Sequence, residues 1–195
     1  MNTLSHANSP VSDRNNRRLT ALLVVLVLAS CHGASTTVDV GRSTSMNMIS
    51  PSFRDGQIPK DFTCDGANKS PQLKWSEPPA SAKSLALIVS DPDAPIGTFV
   101  HWVLYNVPAG KRELDEAVPT KGELADGSRQ GQNDFGQTGY GGPCPPRGST
   151  HRYFFELYAL DAPLKLPAEA TRKQLEHAMQ GHILARGELI ARYGR

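Results

Sequence analysis

The sequence predicts a mostly β domain with a small helical part near the C-terminus. Three apolar stretches have the length and the β-branched or aromatic content of strands, and they lie at residues 85–89, 99–107 and 152–160. Loops dense in proline and glycine separate these stretches, and proline at that density excludes helices and central strands. Only one segment carries a clear helix signal. Together these observations favour a core built on a sheet.

The composition fits one globular domain with an N-terminal extension. The chain has 195 residues, of which 38% are hydrophobic and 21% are charged, and its net charge is +2. This apolar fraction excludes a wholly disordered chain. The basic excess comes from the first thirty residues, where Arg14, Arg17 and Arg18 face Asp13 alone, and the remainder is neutral. A general nucleic-acid binder would keep a basic excess on its folded part, so we expect no nucleic-acid partner.

Residues 1–30 have the features of a bacterial lipoprotein signal peptide. A polar segment ending in Arg17-Arg18 precedes an apolar run from Leu19 to Ala29. This run is shorter than the roughly 20 residues that a membrane-spanning helix needs. It leads into Leu28-Ala29-Ser30-Cys31, which matches a lipobox. We therefore expect an exported lipoprotein with lipid, including palmitate, attached at Cys31.

A lipid anchor would place the protein in the bacterial cell envelope and on a membrane. His32 stands where an Asp commonly retains lipoproteins at the inner membrane, so we expect an outer-membrane anchor on the periplasmic side in a Gram-negative host. A simple cleaved signal peptide, a buried helix and a twin-arginine signal are the alternatives for this segment. Residues 31–46, rich in Ser, Thr and Gly, are expected to form a flexible tether.

The two remaining cysteines are candidates for a disulfide. If Cys31 carries lipid, Cys64 and Cys144 are left, and two thiols in an oxidising compartment can pair. A bond between positions so far apart in the chain would join distant loops and stabilise the fold by about 4 kcal/mol through loop entropy. The alternative is that both cysteines stay unpaired and act as small hydrophobic residues.

The helix signal begins at Thr171. Thr171 and Gln174 fit a capping box, and Leu175 and Met179 follow at helical spacing. Beyond the helix, apolar residues alternate from 183 to 193, which is typical of a final strand with one partly polar side. The domain is therefore expected to span residues 47–195.

A long connection precedes the last strands. Residues 111–137 are charged and rich in glycine, and they contain no strand or helix signal of their own. A connection of this length is either a functional cover or a solvated connector, and the sequence does not decide between these two roles.

Several polar residues lie where strands meet proline-rich loops. Asp91 and Asp93 follow the first strand, His101 lies inside the second, and His151 and Tyr153 begin the third. Each has an ordinary structural explanation, because Asp favours turns and a histidine inside a strand is usually a hydrogen-bonded core residue. If the loops meet, however, they form a pocket of two imidazoles, two carboxylates and a phenol. Such a pocket suits a phosphate-like oxyanion, or a ligand ammonium or hydroxyl.

The segments around these residues resemble the two signatures of the phosphatidylethanolamine-binding protein family, also called Raf kinase inhibitor-like proteins. Asp91-Pro92-Asp93-Ala94-Pro95 with His101-Trp102 is similar to the first signature, and residues 139–148 with His151-Arg152-Tyr153 resemble the second. Phe62-Thr63-Cys64-Asp65-Gly66 resembles the bacterial YbhB/YbcL-type branch. The resemblance covers roughly residues 47–195.

The resemblance implies a β-sandwich-like core of antiparallel strands with a small pocket at one edge. In the family this pocket binds anions, including phosphate and head groups such as phosphoethanolamine. Cys144 stands where eukaryotic members carry Gly, and a bond to Cys64 would pin the pocket loop. By motif position, the ligand-binding residues would be Asp91, Asp93, His101, Cys144, Pro145, His151 and Tyr153.

The function expected from these features is a lipid-anchored binding protein for small anionic or phosphorylated ligands, without catalysis or a cofactor. A hydrolase that uses the Asp/His pocket is the first alternative, although no Ser or Cys lies in a nucleophile-elbow pattern. No metal site is expected, because the local ligand spacing is absent. Modulation of a protein partner, such as inhibition of a protease or kinase, is the remaining alternative.

Overall fold

The computed structural model describes residues 44–195, in which eight strands form one sheet. The described part of the chain has one α-helix, α1 (Arg172–Met179), and a short 3₁₀ helix at Lys60–Phe62. This confirms the mostly β fold class with a small helix near the C-terminus. The strands are β1 (Thr44–Ile49), β2 (Leu73–Trp75), β3 (Ser84–Asp91), β4 (Phe99–Pro108), β5 (Glu113–Leu114), β6 (Arg129–Gln130), β7 (Thr150–Leu160) and β8 (Ile183–Gly194).

The N-terminal predictions lie mostly outside the described residues. These are the signal peptide at 1–30, the lipid attachment at Cys31 and most of the tether at 31–46. β1 begins at Thr44, so the end of the segment assigned to the tether lies in the sheet, and Met46 is buried there. Met46 and Met48 alternate with exposed residues in this strand. The alternation is too short to have marked a strand after the Ser- and Thr-rich segment that precedes it. No helix within residues 44–195 is long and apolar enough to cross a membrane.

The strand order is β5-β2-β1-β8-β7-β3-β4-β6, and all neighbouring pairs are antiparallel except β1 with β8. β3 is buried along its whole length, because it lies between β4 and β7 and has a core on each face. Leu87 and Val89 pack in the main core, whereas Ala86 and Ile88 pack in a second core that includes residues of α1. Burial on both faces explains why this strand reads as a continuous apolar run.

The C-terminal elements confirm their sequence signals. Thr171 and Gln174 form the capping box of α1, and Leu175 and Met179 are its buried residues. In β8 the alternation is visible as burial, since Ala185, Gly187 and Ala191 are buried while most of the intervening residues are exposed.

An irregularity in β4 positions His101, one of the predicted site residues. Val89 pairs with Trp102 and Ser90 pairs with Val100, so His101 is an extra residue opposite β3. Val100 packs in the second core and Trp102 in the main core. A bulge of this kind re-aims a side chain, and His101 lies against Tyr153 on the main-core face.

Candidate functional site at the ends of β3, β4 and β7

A cavity of about 290 Å³ lies where β3 ends and where β4 and β7 begin. Three buried polar side chains, Asp91, His101 and His151, form what we call the cavity floor. Cys144, Pro145 and Pro146 form one side, which we call the proline wall. The cavity is therefore a polar floor set in apolar walls, whose remaining residues are Ala94, Pro95, Ile96, Phe99 and Phe135.

Asp91 orients His151 at the floor. His151 Nδ1 donates to Asp91 Oδ2 over 2.7 Å, and Asp91 Oδ1 accepts the backbone N–H of Asp93 over 2.8 Å. Because a carboxylate only accepts, the proton of this hydrogen bond is on Nδ1. Nε2 is then the nitrogen of His151 that is available to a ligand.

His101 is oriented by a backbone carbonyl instead. Its Nδ1 donates to the oxygen of Gly141 over 2.7 Å, and the N–H of Gly141 donates back to the oxygen of His101 over 2.9 Å. The rings of Phe99, Phe135 and Tyr153 lie 5.2 to 5.4 Å from the imidazole, measured between centroids. Burial among these groups lowers the pKa of His101 below its ordinary value of 6.5. The imidazole of the free protein is therefore neutral near pH 7, with Nε2 as an acceptor.

The close approach of the loop that carries Gly141 requires glycine. A Cβ on Gly141 would lie 2.5 Å from Cδ2 of Phe135, and a Cβ on Gly142 would lie 2.5 Å from the backbone oxygen of Phe62. Tyr140 anchors the same loop, because its hydroxyl donates to that Phe62 oxygen over 2.8 Å. The Tyr-Gly-Gly sequence thus brings the loop against both Phe62 and His101.

The proline wall is tied down by a disulfide. Cys64 and Cys144 are bonded, with a Cα–Cα distance of 5.4 Å, so the structure favours pairing over two unpaired cysteines. Pro145 and Pro146 have no backbone N–H, so this stretch has few donors with which to hold itself in place. The neighbouring hydrogen bond runs from Cys64 N–H to the oxygen of Pro143 over 3.1 Å.

Five of the predicted ligand-binding residues line the cavity, and two do not. Asp93 accepts three hydrogen bonds from Arg152, the shortest 2.7 Å, and this pairing holds the pKa of Asp93 well below its usual range. The carboxylate thereby fixes the loop after β3 to β7. Contrary to the prediction, Asp93 does not line the cavity.

Tyr153 is the second exception. It is fully buried and packs edge-to-face on His101 at a centroid distance of 5.2 Å. Burial and the nearby Asp91 charge raise the pKa of Tyr153, so its phenol stays protonated. Its hydroxyl has no hydrogen-bond partner within residues 44–195. Contrary to the prediction, Tyr153 does not line the cavity; it packs against His101 from behind.

The sequence analysis missed the aromatic wall. Phe135 comes from the long connection at 111–137, and its ring lies 4.7 Å from that of Phe99 between centroids. Asn133 holds the turn that carries Phe135, because its Oδ1 accepts hydrogen bonds from the backbone N–H groups of Phe135 and Gln137, both over 3.0 Å. Part of the connection therefore covers the cavity. The available signal was a lone aromatic residue inside an Asn-Asp-Phe-Gly turn.

The lining limits the chemistry of this site. It contains imidazole and carboxylate groups but no hydroxyl side chain, and the sulfur of Cys144 is held in the disulfide. No group of three or more His, Cys, Asp or Glu side chains in the described region is arranged to hold a metal ion. The groups that line the cavity are thus two imidazole rings, one carboxylate and an apolar surface.

Comparison with known sequences gives a consistent assignment. A family model described as phosphatidylethanolamine-binding protein matches residues 49–194. A UPF0098 protein of Methanothermobacter thermautotrophicus is 52% identical over 151 residues, which are 77% of this chain and 99% of that protein. A UPF0098 protein of Aquifex aeolicus is 52% identical over 153 residues, which are 77% of this chain and 89% of that protein.

Two solved structures share the fold. A chain from Chlamydia trachomatis, described as a homologue of phosphatidylethanolamine-binding protein, is 40% identical with a TM-score of 0.70, and the match covers 78% of this chain and 99% of that one. Escherichia coli YbcL, described as a member of the mammalian PEBP family, is 29% identical with a TM-score of 0.71 and the same two coverages.

Proposed function

The chain belongs to the phosphatidylethanolamine-binding protein family, and from this premise we propose that its cavity binds small anionic or phosphorylated ligands. The observation that most directly supports this binding function is the pair of buried imidazoles on the cavity floor. Each has Nδ1 engaged by a protein acceptor, His101 by Gly141 and His151 by Asp91, and each has Nε2 to offer. Two such nitrogens in one small cavity suit an oxyanion.

The imidazoles can bind phosphate in two protonation states. A protonated ring donates from Nε2 to a phosphate oxygen, and such charge-assisted hydrogen bonds are about twice as strong as neutral ones. A neutral ring accepts at Nε2 from the P–OH of a monoprotonated phosphate. Because burial keeps the free His101 neutral, dianion binding by donation from His101 requires proton uptake.

The size and the remaining polar group of the cavity narrow the ligand class. A volume of about 290 Å³ lies at the lower end of ligand pockets, which run from about 300 to 1,000 Å³. The Asp91 carboxylate lines the same space as His151 and could accept from an ammonium group. Phosphoethanolamine, with an anion and a cation close together, therefore matches this floor better than a large ligand.

Hydrolysis is the second candidate function. The Asp91–His151 hydrogen bond favours it, because a carboxylate that fixes one imidazole nitrogen is the usual partner of a general base. The cavity lining offers no side-chain hydroxyl or free thiol as nucleophile, so the attacking group would have to be water. Binding without turnover is the simpler use of these residues.

The proposal includes export and lipid attachment at Cys31. The basic segment, apolar run and lipobox support it, and so does the Cys64–Cys144 disulfide, since such bonds persist mainly in oxidising compartments. In a bacterial host, labelled palmitate should be incorporated into the protein and lost in Cys31→Ser. Incorporation that survives this substitution would contradict the anchor.

Titration calorimetry of the purified full chain with inorganic phosphate and with phosphoethanolamine tests the binding function. We expect saturable binding that His151→Ala and His101→Ala each weaken about tenfold or more, the loss of one charge-assisted hydrogen bond. His182→Ala is the matched control, since His182 also pairs with a carboxylate, that of Asp161, but is about half exposed and outside the cavity. Circular dichroism confirms that each variant is folded.

A parallel assay with generic phosphoester and ester substrates separates binding from hydrolysis. No product release, together with saturable binding, supports a binding protein. Turnover that is lost in Asp91→Asn and His151→Ala would establish the hydrolase instead. A folded variant that combines His101→Ala with His151→Ala and still binds phosphate as tightly as the parent would overturn the assignment of the cavity as the binding site.

A further inference from the structure

The sheet has an uncovered outer face, opposite the face that carries the cavity floor. The second core, with residues of α1, covers the outer face of β3 and β4. The outer faces of β1, β7 and β8 instead carry exposed side chains. Ile49 and Ile190 are 58% and 44% exposed, which is unusual for large hydrophobic side chains in the described residues.

Two of the exposed isoleucines and the half-buried Phe154 lie on this face in three adjacent strands. Phe154 of β7 pairs with Ile190 of β8. The parallel pairing of β1 with β8 ends at Asn47 and Glu188. Continued by two residues along both strands, this register sets Ile49 level with Ile190. Residues two apart in a strand point to the same face, and we call Ile49, Phe154 and Ile190 the apolar row.

One side of the apolar row is positively charged. Arg152 and Arg192 are cross-strand partners in the next same-face position. Arg152 is paired with Asp93, whereas Arg192 is exposed and forms no ion pair with any residue from 44 to 195. Two arginines against one aspartate leave this side with a net positive charge.

The other side of the apolar row is negatively charged. Glu156 and Glu188 are cross-strand partners there, and Arg186 bridges them with an ion pair to each. Two glutamates against one arginine leave a net negative charge. A depression of about 240 Å³ adjoins the row and is lined by Ser90, Pro92, Thr98, Phe154, Glu156, Arg172, Arg186 and Glu188. Arg172 is ion-paired with Glu176 and so adds no net charge to this side.

We propose that this face docks a second copy of the same chain about a two-fold axis that runs along the apolar row, parallel to the face. In such an isologous contact the same patch is used by both copies, and the strand direction of one copy is reversed relative to the other. The positive side of each copy therefore lies opposite the negative side of the other. The apolar row becomes the buried centre of the interface and the charged pairs become its rim. We refer to the apolar row and the charged pairs on its two sides as the three rows. None of their residues lines the cavity, so the cavity of each copy stays outside the contact.

Sedimentation equilibrium of the purified full chain, in a concentration series at low salt, tests this interface. We expect a concentration-dependent dimer that Arg192→Glu and Glu188→Arg each weaken about tenfold, because each single reversal places like charges across the axis. The two reversals combined restore opposite charges across the axis and should restore the dimer. Lys121→Glu is the charge-matched control, since Lys121 is exposed and lies outside the three rows.

Ile190→Glu provides an independent test at the centre of the contact and should abolish the dimer while leaving the circular dichroism spectrum of the folded protein unchanged. A protein that stays monomeric through the micromolar range overturns the proposal. A dimer that survives Ile190→Glu, or that the combined reversal does not restore, overturns it as well. Ile190-dependent binding to neutral-lipid vesicles without self-association would assign the face to a membrane and likewise overturn it.

Discussion

The cavity floor and the proline wall face the same space but are held by different forces. Asp91, His101 and His151 lie on strands, and each is fixed by hydrogen bonds between buried groups. Cys144 and its neighbouring prolines lie on a loop with few backbone donors, and a disulfide to a distant loop holds them. The sheet thus supplies the polar chemistry and the loop supplies the shape. Substitutions in the wall should mainly alter stability, and substitutions in the floor should mainly alter binding.

Removing the disulfide should give the largest effect. The bond closes a loop with a sequence separation of 80 residues, so Cys64→Ser with Cys144→Ser should lower the free energy of unfolding by about 4 kcal/mol. Urea denaturation under non-reducing conditions measures the loss, with Cys31→Ser as the matched control. A loss below about 1 kcal/mol would show that the wall does not depend on the bond.

Adding one methyl group behind the wall should have the next largest effect. Gly142→Ala would bring Cβ within 3 Å of backbone atoms of Phe62 and Thr63, and overpacking of this kind costs about 1–3 kcal/mol. Gly110→Ala is the control, because a Cβ there meets nothing within 4 Å. Equal urea midpoints for the two variants would mean that the loop does not need this close approach.

The buried histidine of the cavity floor should make the free energy of unfolding depend on pH. Burial lowers the pKa of His101 in the folded protein below the ordinary 6.5, so the unfolded chain binds more protons in the interval between the two values. Stability should therefore fall as pH decreases below 6.5, by at most about 1.4 kcal/mol per pH unit for one group, and level off below the folded pKa. His101→Asn keeps a donor for Gly141 but does not titrate, and should reduce this slope. An unchanged slope would contradict the neutral, buried state of His101.

Asp93→Asn should have the smallest effect. Its ion pair with Arg152 is partly exposed, so we expect a loss of less than about 1 kcal/mol at pH 7. The pKa of Asp93 is lowered in the fold, so its contribution is present above 3.8 and is lost as pH falls through the lower folded value. Phosphate affinity should not change. If Asp93→Asn lowered phosphate affinity as much as His151→Ala does, Asp93 would be a ligand contact. The distinction between the cavity floor and the residues that support it would then be wrong.

The sequence predicted the floor because its residues break local patterns. Histidines inside apolar strands and carboxylates at a strand end are costly unless they are hydrogen-bonded, so they mark a site even before a family is considered. The resemblance added Cys144 and Pro145. The sequence could not show that Tyr153 lies outside the cavity lining, because this depends on the bulge at His101 that places the imidazole against Tyr153. Arg152 likewise takes up the Asp93 carboxylate through a pairing distant in sequence.

The missed features depend on long-range packing. Phe135 lies in a connection without periodicity, and its place is set by contacts with Phe99 and Gly141 that no local pattern encodes. The start of β1 at Thr44 depends on its parallel pairing with β8, whose residues lie at the other end of the chain. The mostly β class and the helix were predictable because strand-length apolar runs, alternation and capping are local signals.

Nitrogen-15 NMR of the histidine side chains, recorded with and without inorganic phosphate, tests the central claim most directly. We predict that the Nδ1 atoms of His101 and His151 carry protons before phosphate is added, and that phosphate shifts the Nε2 signals of these two residues. His177 and His182 should not respond. A phosphate response confined to other histidines, or a proton on Nε2 of both floor residues in the free protein, would contradict the binding role of the cavity floor.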